Sequence, residues 1–301
     1  MPDQKTRATA KDFPREVIDL FDEYIHGHID RRKFLDRCTG FVGSATVATG
    51  MLALLRPDFA WAQKIAPTDG RITVTHVDIP SPSGSGTIKA YVAKPKGASA
   101  RARKPVVLVV HENRGLNPHI EDIARRLAVD GFIAVAPDAL TAQGGYPGDE
   151  QKAAELFRNL DQTKIREDFV AAANWAQKLP DGNGKLGAVG FCYGGGVVNL
   201  LATRLPTLRA GVPFYGGPPP LEAVPSIKAE MLIHHGSTDT RLVESWPGYE
   251  KALKAAGVKY QGFIYEGAGH GFNNDTGARF DAKAAALAWQ RTIDLFKRTL
   301  A

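Results

Sequence analysis

The chain has 301 residues, 44% apolar and 23% charged, with 31 Gly and 19 Pro, which is ordinary globular composition and excludes collagen-like, coiled-coil and extensively disordered classes. The net charge of +6 arises beyond residue 62, because residues 1–62 carry as many acidic as basic side chains. The basic residues there are scattered, with no Arg/Lys run interleaved with aromatics, so no nucleic-acid partner is expected. Two cysteines, Cys38 and Cys192, without Cys-x-x-Cys or paired Cys/His spacing, exclude a disulfide scaffold and give no metal or cofactor signature.

The first 62 residues form a leader. Phe13, Val17, Leu20, Phe21 and Tyr24 recur at helical spacing. Arg31-Arg32-Lys33-Phe34-Leu35 follows, flanked by Asp30 and Asp36, and after Arg37 comes an uncharged stretch from Cys38 to Leu55. The stretch is weakly apolar, and no run reaches the roughly eighteen strongly apolar residues of a stable membrane span. Ala60-Trp61-Ala62 is a small-x-small pattern suited to cleavage. Basic, mildly apolar, then small-x-small is the order of a secretion signal, and it resembles the bacterial twin-arginine type. That implies export of a folded protein to the periplasm, and cleavage after Ala62 would leave one cysteine. The alternative is a cytoplasmic protein in which residues 11–56 form helices packed on the catalytic domain, with Arg31 and Arg32 merely solvated. His26 and His28 receive no role in either reading.

From about residue 70, strand and helix alternate. Strands are expected at Ile72–Ile79, Thr87–Ala93, Pro105–Val110, Phe132–Ala136, Leu186–Phe191, Leu208–Phe214, Glu230–His235 and Tyr260–Tyr265. Helices are expected at Ile120–Val129, Glu150–Leu160, Lys164–Leu179, Val197–Arg204, Glu244–Ala256 and Ala278–Arg298. Continuous apolar strands separated by helical crossovers call for one α/β domain over 63–301, with a mostly parallel central sheet and helices on both faces.

Three segments at strand ends carry chemistry. Gly190-Phe191-Cys192-Tyr193-Gly194-Gly195-Gly196 joins an apolar strand to a helix and reads as a Gly-x-nucleophile-x-Gly elbow with cysteine as nucleophile. The flanking glycines clear space for a sharp turn, and the helix N-terminus lowers the thiol's pKa. Such an elbow predicts an acid and then a histidine further along, and Asp239 and His270 appear in that order on loops after strands. His270 would shuttle the proton and Asp239 would fix its tautomer. The third segment, His111-Glu112-Asn113-Arg114-Gly115, sits where the second oxyanion donor is needed, so the Tyr193 and Asn113 N–H groups are assigned to the developing oxyanion. Glu112 either holds the Cys192 proton until substrate enters or pairs with Arg114. His234 and His235 are adjacent on a strand and point to opposite faces. His111 reads as structural, and Tyr146 and Trp246 as packing aromatics.

Together, Gly-Phe-Cys-Tyr-Gly-Gly, His-Glu-Asn-Arg-Gly, Gly-Ser-Thr-Asp and Gly-His-Gly-Phe resemble the dienelactone hydrolase family of the α/β-hydrolases, over about residue 72 to the C-terminus. The resemblance implies an α/β-hydrolase fold and cofactor-independent hydrolysis of a small ester or lactone through a thioester. It places Cys192, His270 and Asp239 as the triad and Glu112 as the group that switches on the thiol. One feature departs from the family, whose members hold the substrate carboxylate with arginines, one of them shortly after the catalytic histidine. Here that stretch is Phe272-Asn273-Asn274-Asp275, and the nearest arginine is Arg279. A redox-sensing thiol on a hydrolase scaffold is the other reading of Cys192.

Overall fold

The computed structural model describes residues 8–59 and 63–301. Eight strands form one sheet: β1 (Ile72–Ser81), β2 (Gly86–Pro95), β3 (Lys104–Val110), β4 (Ile133–Pro137), β5 (Gly182–Phe191), β6 (Leu208–Phe214), β7 (Glu230–Gly236) and β8 (Tyr260–Tyr265). Their spatial order is β1-β2-β4-β3-β5-β6-β7-β8. β1 and β2 pair antiparallel and β2 joins β4 antiparallel, whereas every remaining pair is parallel. All eight lie within a few residues of the expected segments, because hydrophobic runs such as Val106–Val110 must be covered on both faces. Val106, Leu108 and Val110 enter one apolar cluster and Val107 and Val109 the other, as a period of two demands.

Helices cover the two faces. α4 (Pro118–Val129) and α9 (Ala282–Leu300) pack on one side, and α5 (Glu150–Arg158), α6 (Gln162–Gln177), α7 (Tyr193–Arg204) and α8 (Thr240–Ala255) mainly on the other. Two boundaries differ from expectation for local reasons. α9 starts at Ala282 rather than Ala278 because the Asp281 carboxylate accepts the Ala284 N–H at 2.9 Å and caps the helix there. α8 starts at Thr240, immediately after Asp239, rather than at Glu244, which places Pro247 inside the helix.

The N-terminal segment is also helical: α1 (Arg15–Ile25), α2 (Arg31–Val42) and α3 (Ala45–Leu55). Its apolar stripe, Val17, Leu20 and Phe21, buries with Phe34, Cys38, Leu52 and Leu55 in a cluster that reaches the rest of the molecule at Ala278. Asp30 caps α2 by accepting the Lys33 N–H at 2.8 Å, and Gly43, at φ 72°, ends it in a left-handed turn. Arg31 and Arg32 therefore sit exposed in the first turn of α2. Ala60-Trp61-Ala62 lies outside the described residues. No single helix there is long and apolar enough to cross a membrane, and α2 and α3, which together would be, meet at 117°.

Phe34 is wholly buried at the centre of this cluster. Its replacement by alanine should cost about 3–5 kcal/mol locally. Limited proteolysis should then cut within residues 8–59, while the thermal transition of the sheet stays in place.

Candidate active site

The elbow forms where β5 meets α7. Cys192 adopts φ 55°, ψ −114°, a conformation that costs a non-glycine residue strain. The turn is tight enough that a Cβ on Gly190 would lie 2.1 Å from the Gly194 carbonyl oxygen, and one on Gly194 would lie 2.3 Å from that of Val110. Both positions therefore require glycine. The turn points the sulfur away from the sheet at the N-terminus of α7. Tyr193 is the first residue of that helix, so its N–H has no acceptor within the helix and is available to an oxyanion. The Asn113 loop follows β3, the neighbouring strand, and so lies on the same edge.

β7 and β8 deliver the other two members. Asp239 follows β7 and His270 follows β8, and His270 Nδ1 donates to Asp239 Oδ2 at 2.6 Å. Both side chains are buried, and His270 Nε2 has no hydrogen-bond partner among the described residues. The imidazole is thus oriented through one nitrogen while the other stays open for proton transfer.

A second imidazole stands beside the sulfur. His26 follows the last residue of α1, and its Nε2 lies 3.6 Å from Cys192 Sγ. Its ring meets that of His270 edge to face, 4.5 Å between centroids. The sulfur and one nitrogen from each ring lie within 4.8 Å of one another, close enough that these three could share a proton or a bound cation. Sequence reasoning gave His26 no role. The one available signal was the i,i+4 pair Asp22–His26 at the end of the amphipathic N-terminal pattern.

These charges set the protonation states. Burial alone would raise the Cys192 thiol, but the positive charge of His270 and the hydrogen bond from His26 outweigh it and bring the thiol down to about 6. Burial opposes charge on His270 as well, yet the sulfur and Asp239 raise it to about 9. His26, likewise disfavoured by burial, is raised to about 10 by Asp22 and the sulfur. The resting site is a thiolate with protonated imidazole beside it.

The remaining expected residues divide. Glu112 borders the same cleft, but its Oε2 accepts from Asn274 Nδ2 at 2.8 Å, and Arg114 pairs with Glu150 at 3.8 Å. Arg279, the arginine nearest after His270, donates to Asp22 Oδ1 at 3.0 Å. Asn274 and Arg279 both lie on the loop that follows His270 and tie it to Glu112 and to Asp22 of α1. His111 is structural: buried, it accepts the Ala139 N–H at 3.1 Å. His234 packs inside against Tyr265 and Thr292, and His235 faces Trp246 on the opposite side. Tyr146 donates to Glu150 at 2.9 Å. Tyr215, unmarked in the sequence, holds a positive φ of 38° at the end of β6, and its buried ring backs His270 at 5.0 Å.

Residues 88–300 match the dienelactone hydrolase family. The chain belongs to that family. It is a hydrolase with the family's α/β-hydrolase architecture. Residues 4–41 separately match a family described as YqhI-like, so α1 and the first eleven residues of α2 fall under a recognised unit of their own. Two relatives named "Putative carboxymethylenebutenolidase" align over most of the chain. The one from Salmonella typhimurium is 33% identical over 78% of this chain and 93% of its own length. That from Synechocystis is 35% identical over 76% and 98%. A solved "Putative Dienelactone Hydrolase" from Klebsiella pneumoniae superposes with a TM-score of 0.65 at 29% identity, covering 75% of this chain and 99% of its own.

Cys38 is buried and Cys192 is not fully so, which makes alkylation selective. The thiolate is the reactive form. The iodoacetamide rate at Cys192 should therefore rise with pH through a midpoint near 6 and level off above it; a midpoint at the ordinary thiol value, about 8.5, contradicts the charge arrangement described.

Proposed function

We propose that this hydrolase cleaves small carboxylic esters or lactones through a Cys192 thioester, with His270 and Asp239 completing the triad. The observation that carries this reading is the sulfur held at a strained elbow beside the carboxylate-backed imidazole of His270. The thiolate adds to the carbonyl carbon, and the oxyanion forms against the Tyr193 and Asn113 N–H groups. Collapse breaks the C–O bond, and the leaving oxygen takes a proton from imidazole. His270 Nε2 then removes a proton from water, hydroxide adds to the thioester, and collapse releases the acid and restores the thiolate. A thiolate is a good leaving group, so acylation is productive when the departing oxygen is itself stabilised, as in an enol ester.

Charge around the sulfur supports an anionic substrate. A second opening on Cys192 is lined by Phe157, Tyr193 and Pro218–Pro220 and carries Arg158, Arg166 and Arg241 at its exposed side, with no acidic residue in its lining. These arginines stand in for the clamp missing after His270, and a carboxylate on the substrate would meet them.

With dienelactones and activated aryl esters, Cys192→Ala and His270→Ala should each lower turnover by at least about 10³-fold while circular dichroism is unchanged. Normal hydrolysis by Cys192→Ala contradicts the reading. Glu112→Gln should slow acylation if Glu112 assists the thiol; an unchanged rate assigns it to holding Asn274 alone.

Export is a separate proposal, supported by the sequence order of Arg31-Arg32, the mild stretch after it and Ala60-Trp61-Ala62, while exposed arginines fit helices packed on the catalytic domain equally well. Activity should appear in a periplasmic fraction and be lost from it in an Arg31→Lys, Arg32→Lys variant that folds normally; cytoplasmic activity in the parent contradicts it.

A further inference from the structure

α1 is fastened to the catalytic loops rather than merely resting on them. Asn113 Nδ2 and Arg114 Nη2 both donate to the Ile25 carbonyl, at 2.8 and 3.2 Å, which ties the C-terminal end of α1 to the oxyanion loop. Arg279 holds Asp22 at 3.0 Å and lies over the Phe21 ring, which ties the same helix to the loop after His270. Between these anchors stands His26. Its Nδ1 donates to the Asp22 carbonyl at 2.8 Å and lies 3.3 Å from the Asp22 carboxylate, so Nε2 is the nitrogen turned to the sulfur. As in the Asp239–His270 pair, an aspartate engages Nδ1, here through its backbone carbonyl with the carboxylate close by, and the two rings stand edge to face beside the sulfur. A helix that only covered a cleft would need apolar contact, and Phe21 and Tyr24 already supply it. An imidazole fixed through its outer nitrogen and aimed at the nucleophile is the layout of a proton-transfer group.

We propose that His26 is a further catalytic residue, which holds the Cys192 proton in the free enzyme and delivers it to the leaving oxygen, with Asp22 as its positioning residue. This rests on the reading of Cys192 as the nucleophile. The resting enzyme carries the thiolate with both His26 and His270 protonated, and His270 releases its proton to solvent once the thioester has removed the sulfur's charge. Sulfur attack forms the C–S bond and breaks the ester C–O bond, and the departing alkoxide takes the proton from His26 Nε2. His270 then takes a proton from water as hydroxide adds to the thioester. The tetrahedral intermediate expels the thiolate, and the acid product loses its proton to solvent. His270 keeps the proton it took from water, and His26 regains one from solvent, which restores the resting site. Acid and base duties, carried by one imidazole in a simple triad, are divided between two. Glu112, engaged with Asn274, is not needed for either.

The charged and titratable groups around His26 are Asp22, His28, Asp30, Arg31, Arg32, Arg114, Glu155 and Arg158, the sulfur of Cys192, and His270 and Arg279 from the loop after β8. Of the carboxylates, that of Asp22 lies against the ring, 3.3 Å from Nδ1, and it favours the protonated imidazole.

The discriminating measurement is kcat/KM of full-length His26→Ala on two esters of the same acid, one with a p-nitrophenolate leaving group and one with an alkoxide. Nitrophenolate departs without a proton and alkoxide does not. The loss should be about 10²-fold or more for the alkyl ester and less than about fivefold for the aryl ester. Added imidazole should restore part of the alkyl-ester rate, and the Cys192 alkylation midpoint should rise from near 6. Asp22→Asn, which keeps the shape of the side chain, should show the same selectivity with a smaller loss, and it serves if His26→Ala fails to fold. Equal losses on both esters, or none, with an unchanged alkylation midpoint, overturn the role of His26. Full activity in Cys192→Ala would instead overturn the thioester reading on which it rests.

Discussion

A sulfur held in a backbone conformation that relaxed residues avoid is the constraint on which the molecule depends. Cys192 reaches φ 55° because Gly190 and Gly194 let β5, α7 and β3 approach within distances that a Cβ would forbid. Packing on both faces of the sheet holds that strain in place: Val198 and Leu201 of α7 are buried in one apolar cluster, and Phe191 of β5 in the other. The turn sets the sulfur at a helix N-terminus and on the edge of the sheet where the loops after β3, β7 and β8 also end. Loops from three separate strands thus converge on one atom, and the thiol's depressed pKa follows from His270, which one of them carries, together with His26 at the end of α1.

The N-terminal helices add a second layer to the same site. Their cluster around Phe34 and Leu52 is a small core of its own, yet the contacts that matter for chemistry are polar and lie at its margin: Ile25 carbonyl to Asn113 and Arg114, and Asp22 to Arg279. The oxyanion loop and the loop after His270 are therefore braced by one helix. Asp30-Arg31-Arg32-Lys33-Phe34 has employment in this packing, with Asp30 as a cap, Phe34 as a core residue and the arginines facing solvent. A protein exported folded can use the same residues as an address, but a cut after Ala62 would detach His26 from the sulfur.

Much of the catalytic domain was legible because its signals are local. Continuous apolar strands, glycines around Cys192, and the order Cys192, Asp239, His270 each follow from short-range chemistry, and the sheet order adds only their common edge. What escaped the sequence depends on tertiary approach. His26 and Cys192 are 166 positions apart, and nothing near His26 announces which loop it will meet. Glu112 reads as a partner for Arg114 because it is two residues away, and for the sulfur because its loop follows a strand of the same sheet, whereas the fold turns it to Asn274. Tyr215 carries no motif, and its positive φ is imposed by the crossing of β6 and the elbow rather than by its residue type.

The central claim is that the sulfur of Cys192 becomes covalently acylated during turnover. Rapid acid quench after mixing with an activated ester, followed by peptide mass spectrometry, tests it directly. The account predicts an acyl adduct confined to the peptide containing Cys192, forming and decaying at rates compatible with steady-state hydrolysis. Turnover with no adduct on that peptide, or with the acyl group on another side chain, would contradict it.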